Sequence, residues 1–171
     1  MKRSQFNTGD KILTVLFCAS VGLTVWAVSI YRLTIIEAKY LLAAIAVGIG
    51  VSFGVLTFFI ASTYSTFWTA FIKIGIGAGI FSFGLLFLNK QFADKEILTR
   101  DFRIIKTGSL ARGGKSTCSQ PYAIVDFYGT EKQLVFYCDF LNLLKHSSKV
   151  SLTYSKGAFG FNVIKSQTLI N

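Results

Sequence analysis

The sequence has few of the side chains on which enzymes and metal sites depend. Its 171 residues include one histidine, three cysteines and eight acidic residues. A serine or cysteine nucleophile needs a nearby base and a group that orients that base, and a metal site needs clustered histidine, cysteine or carboxylate ligands. The single His146 stands between Lys145 and Lys149, at the end of a short predicted helix whose dipole alone favours a cation. We therefore expect no catalytic residues, no metal site and no cofactor.

Charged residues are also scarce, and they are unevenly distributed. They make up 15% of the chain, against about 25% in an average soluble domain. Residues 1–88 hold six Lys or Arg and two Asp or Glu, whereas residues 89–171 hold twelve and six. The net charge of +10 includes no block of about five or six like charges, which is typical of nucleic-acid-binding tails. We expect the cations to contact anionic lipid headgroups rather than nucleic acid.

What the sequence does contain is three long apolar runs after a polar tail of residues 1–11. The runs cover residues 12–31, 40–61 and 67–88. About 20 apolar residues cross the hydrocarbon core of a bilayer, so residues 12–88 are predicted to form three transmembrane helices. The first run could alternatively be a cleaved signal peptide, but the apolar core of a signal peptide has only about 7–15 residues. We therefore favour a retained first helix.

Small residues recur at four-residue spacing in the second and third runs. Ala46, Gly50 and Gly54 share one face of helix two, and Gly75 and Gly79 share one face of helix three. Between apolar helices in lipid, close backbone approach and dispersion contacts drive association. Because only a short loop joins the two helices, they are predicted to pack as an antiparallel hairpin through these positions. The same faces could instead contact a partner subunit or a second copy of the chain.

Lys73 is the only charge within the three runs, and it lies about two turns inside the third. A cation at the centre of a membrane helix costs about 2.5–3.5 kcal/mol on insertion scales, so an intramembrane lysine is a candidate functional residue. Its long aliphatic stem also allows the ammonium group to reach the membrane surface. We interpret Lys73 as such a surface-reaching residue that contacts lipid or a partner.

After a mixed-charge linker of residues 89–101, the apolar pattern changes to the alternation of β-strands. Segments rich in β-branched and aromatic residues are predicted as strands: residues 102–110, 122–128, 133–138, 150–154 and 159–164. Asp139 is predicted to cap a short helix over residues 140–146 with its carboxylate. This order predicts a small basic β-domain over residues 102–171, folded as a five-stranded OB-like or SH3-like antiparallel barrel with one short helix. An open β-meander is the alternative.

The layout of hydrophobic helices followed by a small C-terminal barrel resembles that of NfeD-type membrane proteins. The resemblance rests on the apolar runs of residues 12–88 and on the strand-rich segment from residue 102 onward. It implies the fold class alone and assigns no function to any residue.

The loop between the first two predicted strands, ARGGKSTCSQP, carries Arg112 and Lys115. It lacks the GxxxxGK[ST] pattern of a phosphate-binding loop, because Ser109 stands five residues before Gly114. We predict a hairpin loop whose two cations contact lipid headgroups or a partner.

Two cysteines of the polar half are candidates for a disulfide bond. A hairpin of strands 122–128 and 131–137 places Cys138 opposite Pro121, three residues from Cys118. This proximity suits a disulfide, but only in an oxidising compartment. Two separate free thiols are the alternative.

The cations also bear on the orientation of the chain, because three spans place the N-terminus and the β-domain on opposite sides. Positive residues near membrane spans favour the cytoplasmic side. Seven Lys or Arg flank the spans on the side of the β-domain, against three on the N-terminal side. We therefore predict a multi-pass membrane protein with a cytoplasmic β-domain.

Together these features predict a non-catalytic integral membrane protein, an accessory or scaffold subunit of a membrane complex. Its β-domain is expected to dock on a partner or a lipid surface, with other membrane subunits or a second copy as partners. The alternative is a small transporter or channel component that oligomerises through glycine-rich helix faces. A membrane-tethered hydrolase would need His146 as its base, and the sequence shows no acid/base set around that residue.

Overall fold

The structure is a computed structural model that describes residues 8–60, 65–111 and 119–170. The chain forms two compact units. The helical unit comprises Met1–Tyr31 and Glu37–Leu88, and the barrel unit comprises Arg32–Ile36 and Asn89–Asn171. Both units are discontinuous in sequence, because the connector after the first helix belongs to the barrel unit.

The first unit is built from three long helices. They are α1 (Thr8–Arg32), α2 (Ala38–Phe59) and α3 (Thr66–Gln91). Each is long and apolar enough to span a membrane, which indicates a multi-pass membrane protein. The apolar run predicts that α3 ends at Leu88, whereas the helix continues to Gln91. Hydropathy marks the apolar part of a helix and does not detect a polar last turn.

Apolar side chains from all three helices pack together in the helical unit. Leu13, Leu56 and Ile76 are buried, one from each helix. Partly buried side chains surround them: Leu16, Phe17, Ile60 and Ile72. In lipid, dispersion contacts of this kind hold helices together, since lipid tails are as apolar as the side chains themselves.

Six antiparallel strands form a nearly closed barrel. They are β1 (Thr34–Ile35), β2 (Leu98–Ser109), β3 (Pro121–Phe127), β4 (Thr130–Val135), β5 (Lys149–Lys156) and β6 (Asn162–Ile170). The sheet order is β1-β6-β5-β2-β3-β4. The first half of β2 pairs with β5 and the second half with β3, and the register is irregular between Ile104 and Lys106. Because such irregularities bend a strand, β2 can belong to both halves of the barrel.

Inward-facing residues of the strands form one apolar core. The alternation is clearest in β3, where Ala123, Val125 and Phe127 are buried while Asp126 is exposed. The ring of Phe127 lies 4.8 Å from that of Phe102 between centroids. The remaining core residues come from β1, β4, β5, β6, α4 and the residue directly after β4: Ile35, Leu134, Phe136, Leu144, Val150, Leu152, Tyr154, Ile164 and Leu169.

Strand β1 comes from the connector between α1 and α2, which the sequence analysis does not predict as a strand. It pairs antiparallel with β6, and the N–H of Ile164 donates to the carbonyl oxygen of Leu33 at 2.7 Å. Ile35 enters the barrel core. The prediction of five strands therefore omits β1, because a two-residue strand is too short to show a period.

Two side chains bridge the strands on either side of the remaining gap in the barrel. Lys132 of β4 donates from Nζ to the carbonyl oxygen of Thr34 at 2.7 Å. Gln167 of β6 donates from Nε2 to the carbonyl oxygen of Val135 at 2.7 Å. Burial lowers the pKa of Lys132 from 10.5 to about 8, because desolvation disfavours the charged ammonium group. The connector strand β1 is thus bonded to β6 by backbone and to β4 by a lysine.

The predicted helix cap is wrong. Asp139 lies within a short 3-10 helix, Cys138–Phe140, that leads directly into α4 (Leu141–His146). The residue at the N-cap position of α4 is Phe140, and no side-chain hydrogen bond caps the helix. The extra turn shifts Asp139 away from the position at which a carboxylate reaches the free amides of the first helical turn.

Candidate functional site

The close contact between α2 and α3 is made by Gly48 and Gly77. A Cβ atom on either glycine would collide with backbone atoms of the other helix. A hydrogen bond lies beside this contact, since Ser52 Oγ donates to the carbonyl oxygen of Lys73 at 2.7 Å. In the sequence, Gly48 forms a second small-residue pair with Ala44, and Gly77 stands beside Gly75 and Gly79, but neither is among the predicted helix-packing residues.

The predicted glycines of α3 face α1 instead of α2. Gly75 lies against the ring of Phe17, and Gly79 lies against Ser20 and Thr24. Ser20 Oγ also donates to the carbonyl oxygen of Gly75 at 2.8 Å. The four-residue spacing therefore marks a face of close helix approach, but it does not identify the neighbour.

The predicted residues of α2, namely Ala46, Gly50 and Gly54, are exposed in the single chain. A Cβ atom built on Gly50 or Gly54 meets nothing within 4 Å. These positions do not form the intramolecular contact. Their contact with a partner subunit or a second copy stays a prediction.

Lys73 is buried between α2 and α3, with 6% of its surface exposed. Its Nζ donates to Thr57 Oγ1 at 2.7 Å and lies 5.9 Å from the centroid of the Phe53 ring. Within the described part of the chain, Lys73 forms no ion pair with a carboxylate. The ammonium group is therefore held against α2 within the helical unit, and its contact with lipid or a partner stays a prediction.

The ammonium group of Lys73 borders a pocket of about 320 Å³ in the helical unit. The wall combines three threonines and one lysine with apolar side chains: Phe53, Thr57, Ile60, Thr66, Thr69, Ala70 and Lys73. A largely apolar cavity with a few convergent polar groups is typical of small-molecule sites. We call it the Lys73 pocket.

A second candidate surface is an exposed apolar cluster on the barrel unit. Tyr137 is 77% exposed, and Phe140, Leu141 and Leu143 are 39%, 40% and 40% exposed. Leu144 is buried in the core and holds α4 on the barrel. Exposed apolar patches often mark interaction sites. We call the four exposed residues the α4 patch; the sequence signals it by placing more apolar residues in this short helix than one buried face can hold.

Cations follow the α4 patch in the chain. Lys145 follows it in the chain, and Lys149 lies directly opposite Arg103 in the β2–β5 pairing. All three are exposed. Like charges directly opposite each other in a sheet are destabilising, so an anionic group on a partner would relieve this repulsion.

The α4 patch and the residues that Asn89 binds lie at opposite ends of β5 in the barrel unit. Asn89 donates from Nδ2 to the carbonyl oxygen of Phe161 at 2.9 Å and accepts from the N–H of Phe159 at 3.0 Å. These partners follow β5 in the chain, whereas α4 precedes it. At 3.3 Å per residue, the length of β5 separates the two ends by about 23 Å.

The cysteines differ in state. Cys138 is disulfide-bonded, and Cys18 is free and exposed. Cys118, the predicted partner of Cys138, lies outside the described residues, as do Arg112 and Lys115, the predicted lipid or partner contacts. The pairing of Cys118 with Cys138 therefore stays a prediction.

His146 occupies the exposed last turn of α4. Groups of three or more His, Cys, Asp or Glu that could hold a metal ion are absent from residues 8–60, 65–111 and 119–170. The candidate sites that the described residues do show are the Lys73 pocket and the α4 patch.

No family model, no curated protein and no solved structure matches the chain. The fold defines the class: three apolar helices capable of spanning a membrane, followed by a nearly closed antiparallel barrel of six strands. A function for this chain has to be argued from its own two candidate surfaces.

Proposed function

We propose that the protein is a non-catalytic accessory or scaffold subunit of a membrane complex, which docks a protein partner through the α4 patch. The observation that carries the proposal is the cluster of Tyr137, Phe140, Leu141 and Leu143 in solvent. Aromatic residues are enriched in protein interfaces.

The partner that fits this surface has an apolar centre and an acidic rim. Lys145, Lys149 and Arg103 supply the positive charge, and complementary charge increases association rates and selects between partners. Lipid headgroups and a second copy of the chain are the other occupants that the test below distinguishes.

We also propose that the barrel is OB-like rather than SH3-like. Helix α4 lies between β4 and β5, the third and fourth of the five long strands. The sheet ends at β4 on one side and, on the other, at the short strand β1 that pairs with β6. Both features support a partly open OB barrel. This assignment concerns the fold, and the proposed docking does not depend on it.

The barrel unit is proposed to face the non-cytoplasmic side. Disulfides such as that of Cys138 persist in oxidising compartments. The cation count that favours the cytoplasm depends on residues after α3, and charges in a long translocated domain have little influence on orientation. Across the first helix, three cations precede the span and two follow it, which supports a cytoplasmic N-terminus.

Site-specific photo-crosslinking tests the docking proposal. A photo-reactive residue at Leu141 or Leu143, in native membranes, is expected to give one discrete protein adduct. The charge-reversed variant Lys149→Glu should reduce that adduct several-fold, whereas reversal at the exposed Lys165 should leave it unchanged. Adducts with lipid alone, an adduct with the mass of two copies of the chain, or an equal loss of the adduct in Lys165→Glu would argue against the proposal.

The alternative function is a small transporter or channel component that oligomerises through α2. The observation that favours it is the open small-residue face of Ala46, Gly50 and Gly54. A homo-oligomer in mild detergent that dissociates in Gly50→Leu, together with solute flux in proteoliposomes, would support this alternative. A monomeric protein that gives no solute flux in proteoliposomes would argue against this alternative.

A further inference from the structure

We propose that the Lys73 pocket binds a phosphate-bearing anion, and that the anion is the headgroup of an anionic phospholipid. The site is independent of the α4 patch, because it lies wholly in the helical unit. It would give the protein a lipid ligand in addition to a protein partner.

The first argument concerns the charge of Lys73. An ammonium group has three N–H donors, and within the described residues one of them reaches Thr57 while the ring of Phe53 offers a weak cation–π contact. Burying a cation is costly unless an anion and further hydrogen bonds compensate it. No carboxylate of the described residues does so, and all eight acidic residues of the sequence fall within those ranges.

The second argument concerns the other polar groups in the wall. Thr57, Thr66 and Thr69 bring hydroxyl groups to the same pocket. Hydroxyl groups and a lysine ammonium are common donors to phosphate oxygens, and lysine acts there as a point charge. The volume of about 320 Å³ lies at the lower end of the range of ligand pockets, roughly 300–1,000 Å³, which suits a headgroup.

The third argument concerns depth. Lys73 lies seven residues from Thr66 at the start of α3, which is about 10 Å along the helix axis. A bilayer measures about 40–45 Å with its headgroups and about 30 Å without them, so each headgroup layer is about 5–8 Å deep. In a helix that starts at the outer boundary of the headgroup layer, a lysine about 10 Å along the axis lies close to the inner edge of that layer. The phosphate of a lipid reaches this depth while its chains contact the apolar walls at Phe53 and Ile60.

The test measures lipid binding to the full-length purified protein by native mass spectrometry. Delipidated protein in a neutral detergent is titrated with phosphatidylglycerol, phosphatidylcholine or inorganic phosphate. We expect one tightly bound phosphatidylglycerol, with an affinity at least about tenfold higher than in Lys73→Met, because a charge-assisted hydrogen bond is lost. The matched control is Lys90→Met, which removes an exposed lysine of the same helix and should bind like the unaltered protein.

The arms of the experiment separate the sources of the phosphate. Displacement of the lipid by millimolar inorganic phosphate would show a site for free anions and would overturn the assignment to lipid. Equal binding of phosphatidylcholine and phosphatidylglycerol would overturn the preference for an anionic headgroup. Unchanged binding in Lys73→Met would overturn the site itself.

Two further variants keep the test decisive if Lys73→Met fails to fold. Thr57→Val and Thr66→Val each remove one hydroxyl group from the pocket and keep the size of the side chain. Each is expected to weaken phosphatidylglycerol binding several-fold without changing elution on gel filtration. If both bind the lipid as the unaltered protein does, the proposal fails.

Discussion

Buried polar side chains connect segments of the barrel unit that backbone pairing alone leaves separate. Lys132 links β4 to the connector strand β1, and Asn89 links the last turn of α3 to the turn between β5 and β6. Neither role is visible in the sequence, because a lysine in an alternating strand and an asparagine after an apolar run have no spacing that names a partner. Only the fold brings these atoms within hydrogen-bonding distance.

The lowered pKa of Lys132 predicts a pH dependence of stability. The pKa is about 8 in the folded chain against 10.5 for an unperturbed lysine. Between these values the unfolded state holds the extra proton, so the free energy of unfolding rises with pH from about 8 to 10.5 and is flat with respect to this group below 8. Thermal unfolding of the protein and of Lys132→Met should therefore diverge from pH 8 to pH 10.

The control for this prediction is Lys165→Met, which removes an exposed lysine of β6. Its unfolding midpoint should differ from that of the unaltered protein by the same amount at every pH. A constant difference for Lys132→Met as well would mean that Lys132 titrates normally in the folded chain.

Replacing Asn89 by alanine is predicted to loosen the turn between β5 and β6. The change leaves the N–H of Phe159 and the carbonyl oxygen of Phe161 without this partner, and a typical hydrogen bond contributes about 0.5–1.5 kcal/mol to stability. Hydrogen exchange of residues 157–161 should accelerate in Asn89→Ala. The exposed neighbour Gln91 provides the control, since Gln91→Ala should leave exchange in this turn unchanged.

At the scale of elements, the sequence predicted those helices and strands whose segments are long enough to show an apolar run or an alternation of apolar residues. The three spans follow from apolar runs of at least 20 residues, and the structure has helices over all three. The long strands follow from alternation, whereas the two-residue β1 has no measurable period. Helix-packing faces could be predicted only in part. Glycine spacing indicates that a helix has a packing face, but it does not identify the contact residue: Gly48 rather than Gly50 makes the contact with α3.

The glycines of α2 therefore predict opposite responses to the same substitution. Gly48→Ala should destabilise the helical unit by about 1–3 kcal/mol, the usual range for overpacking, because the new methyl group meets backbone atoms of Gly77 that cannot rotate away. Gly50→Ala should be neutral or stabilising, since the site is open and alanine is the better helix former. Unfolding by a denaturing detergent, followed by far-UV circular dichroism, measures both. Equal effects of the two changes would contradict the Gly48–Gly77 contact.

Strand β1 predicts that the connector between α1 and α2 stabilises the barrel. Ile35→Ala removes a buried side chain from the core and should cost about 2–5 kcal/mol, as such truncations usually do. Amide hydrogen exchange in β6, the partner of β1, should increase in this variant. Leu33→Ala truncates a side chain that is 42% exposed, and its exchange rates should match those of the unaltered chain.

At the scale of the whole molecule, the sequence predicted the class of fold but not the surfaces. Lys73 stood out as a lone charge in an apolar run, yet its pocket needs α2 and α3 side by side. The α4 patch is defined by which leucines the barrel leaves uncovered. Orientation is harder still, because the cation count and the disulfide of Cys138 point to opposite sides of the membrane.

The orientation is tested with the cysteines of the chain in sealed cells. In a Cys18→Ser background, a membrane-impermeant maleimide should fail to label the barrel unit until an impermeant reductant has been added, because Cys138 is disulfide-bonded. Labelling after reduction but without lysis is expected if the barrel faces an oxidising compartment. Labelling that requires lysis, with or without reductant, would place the barrel in the cytoplasm. The search for an acidic partner of the α4 patch would then move to cytosolic proteins.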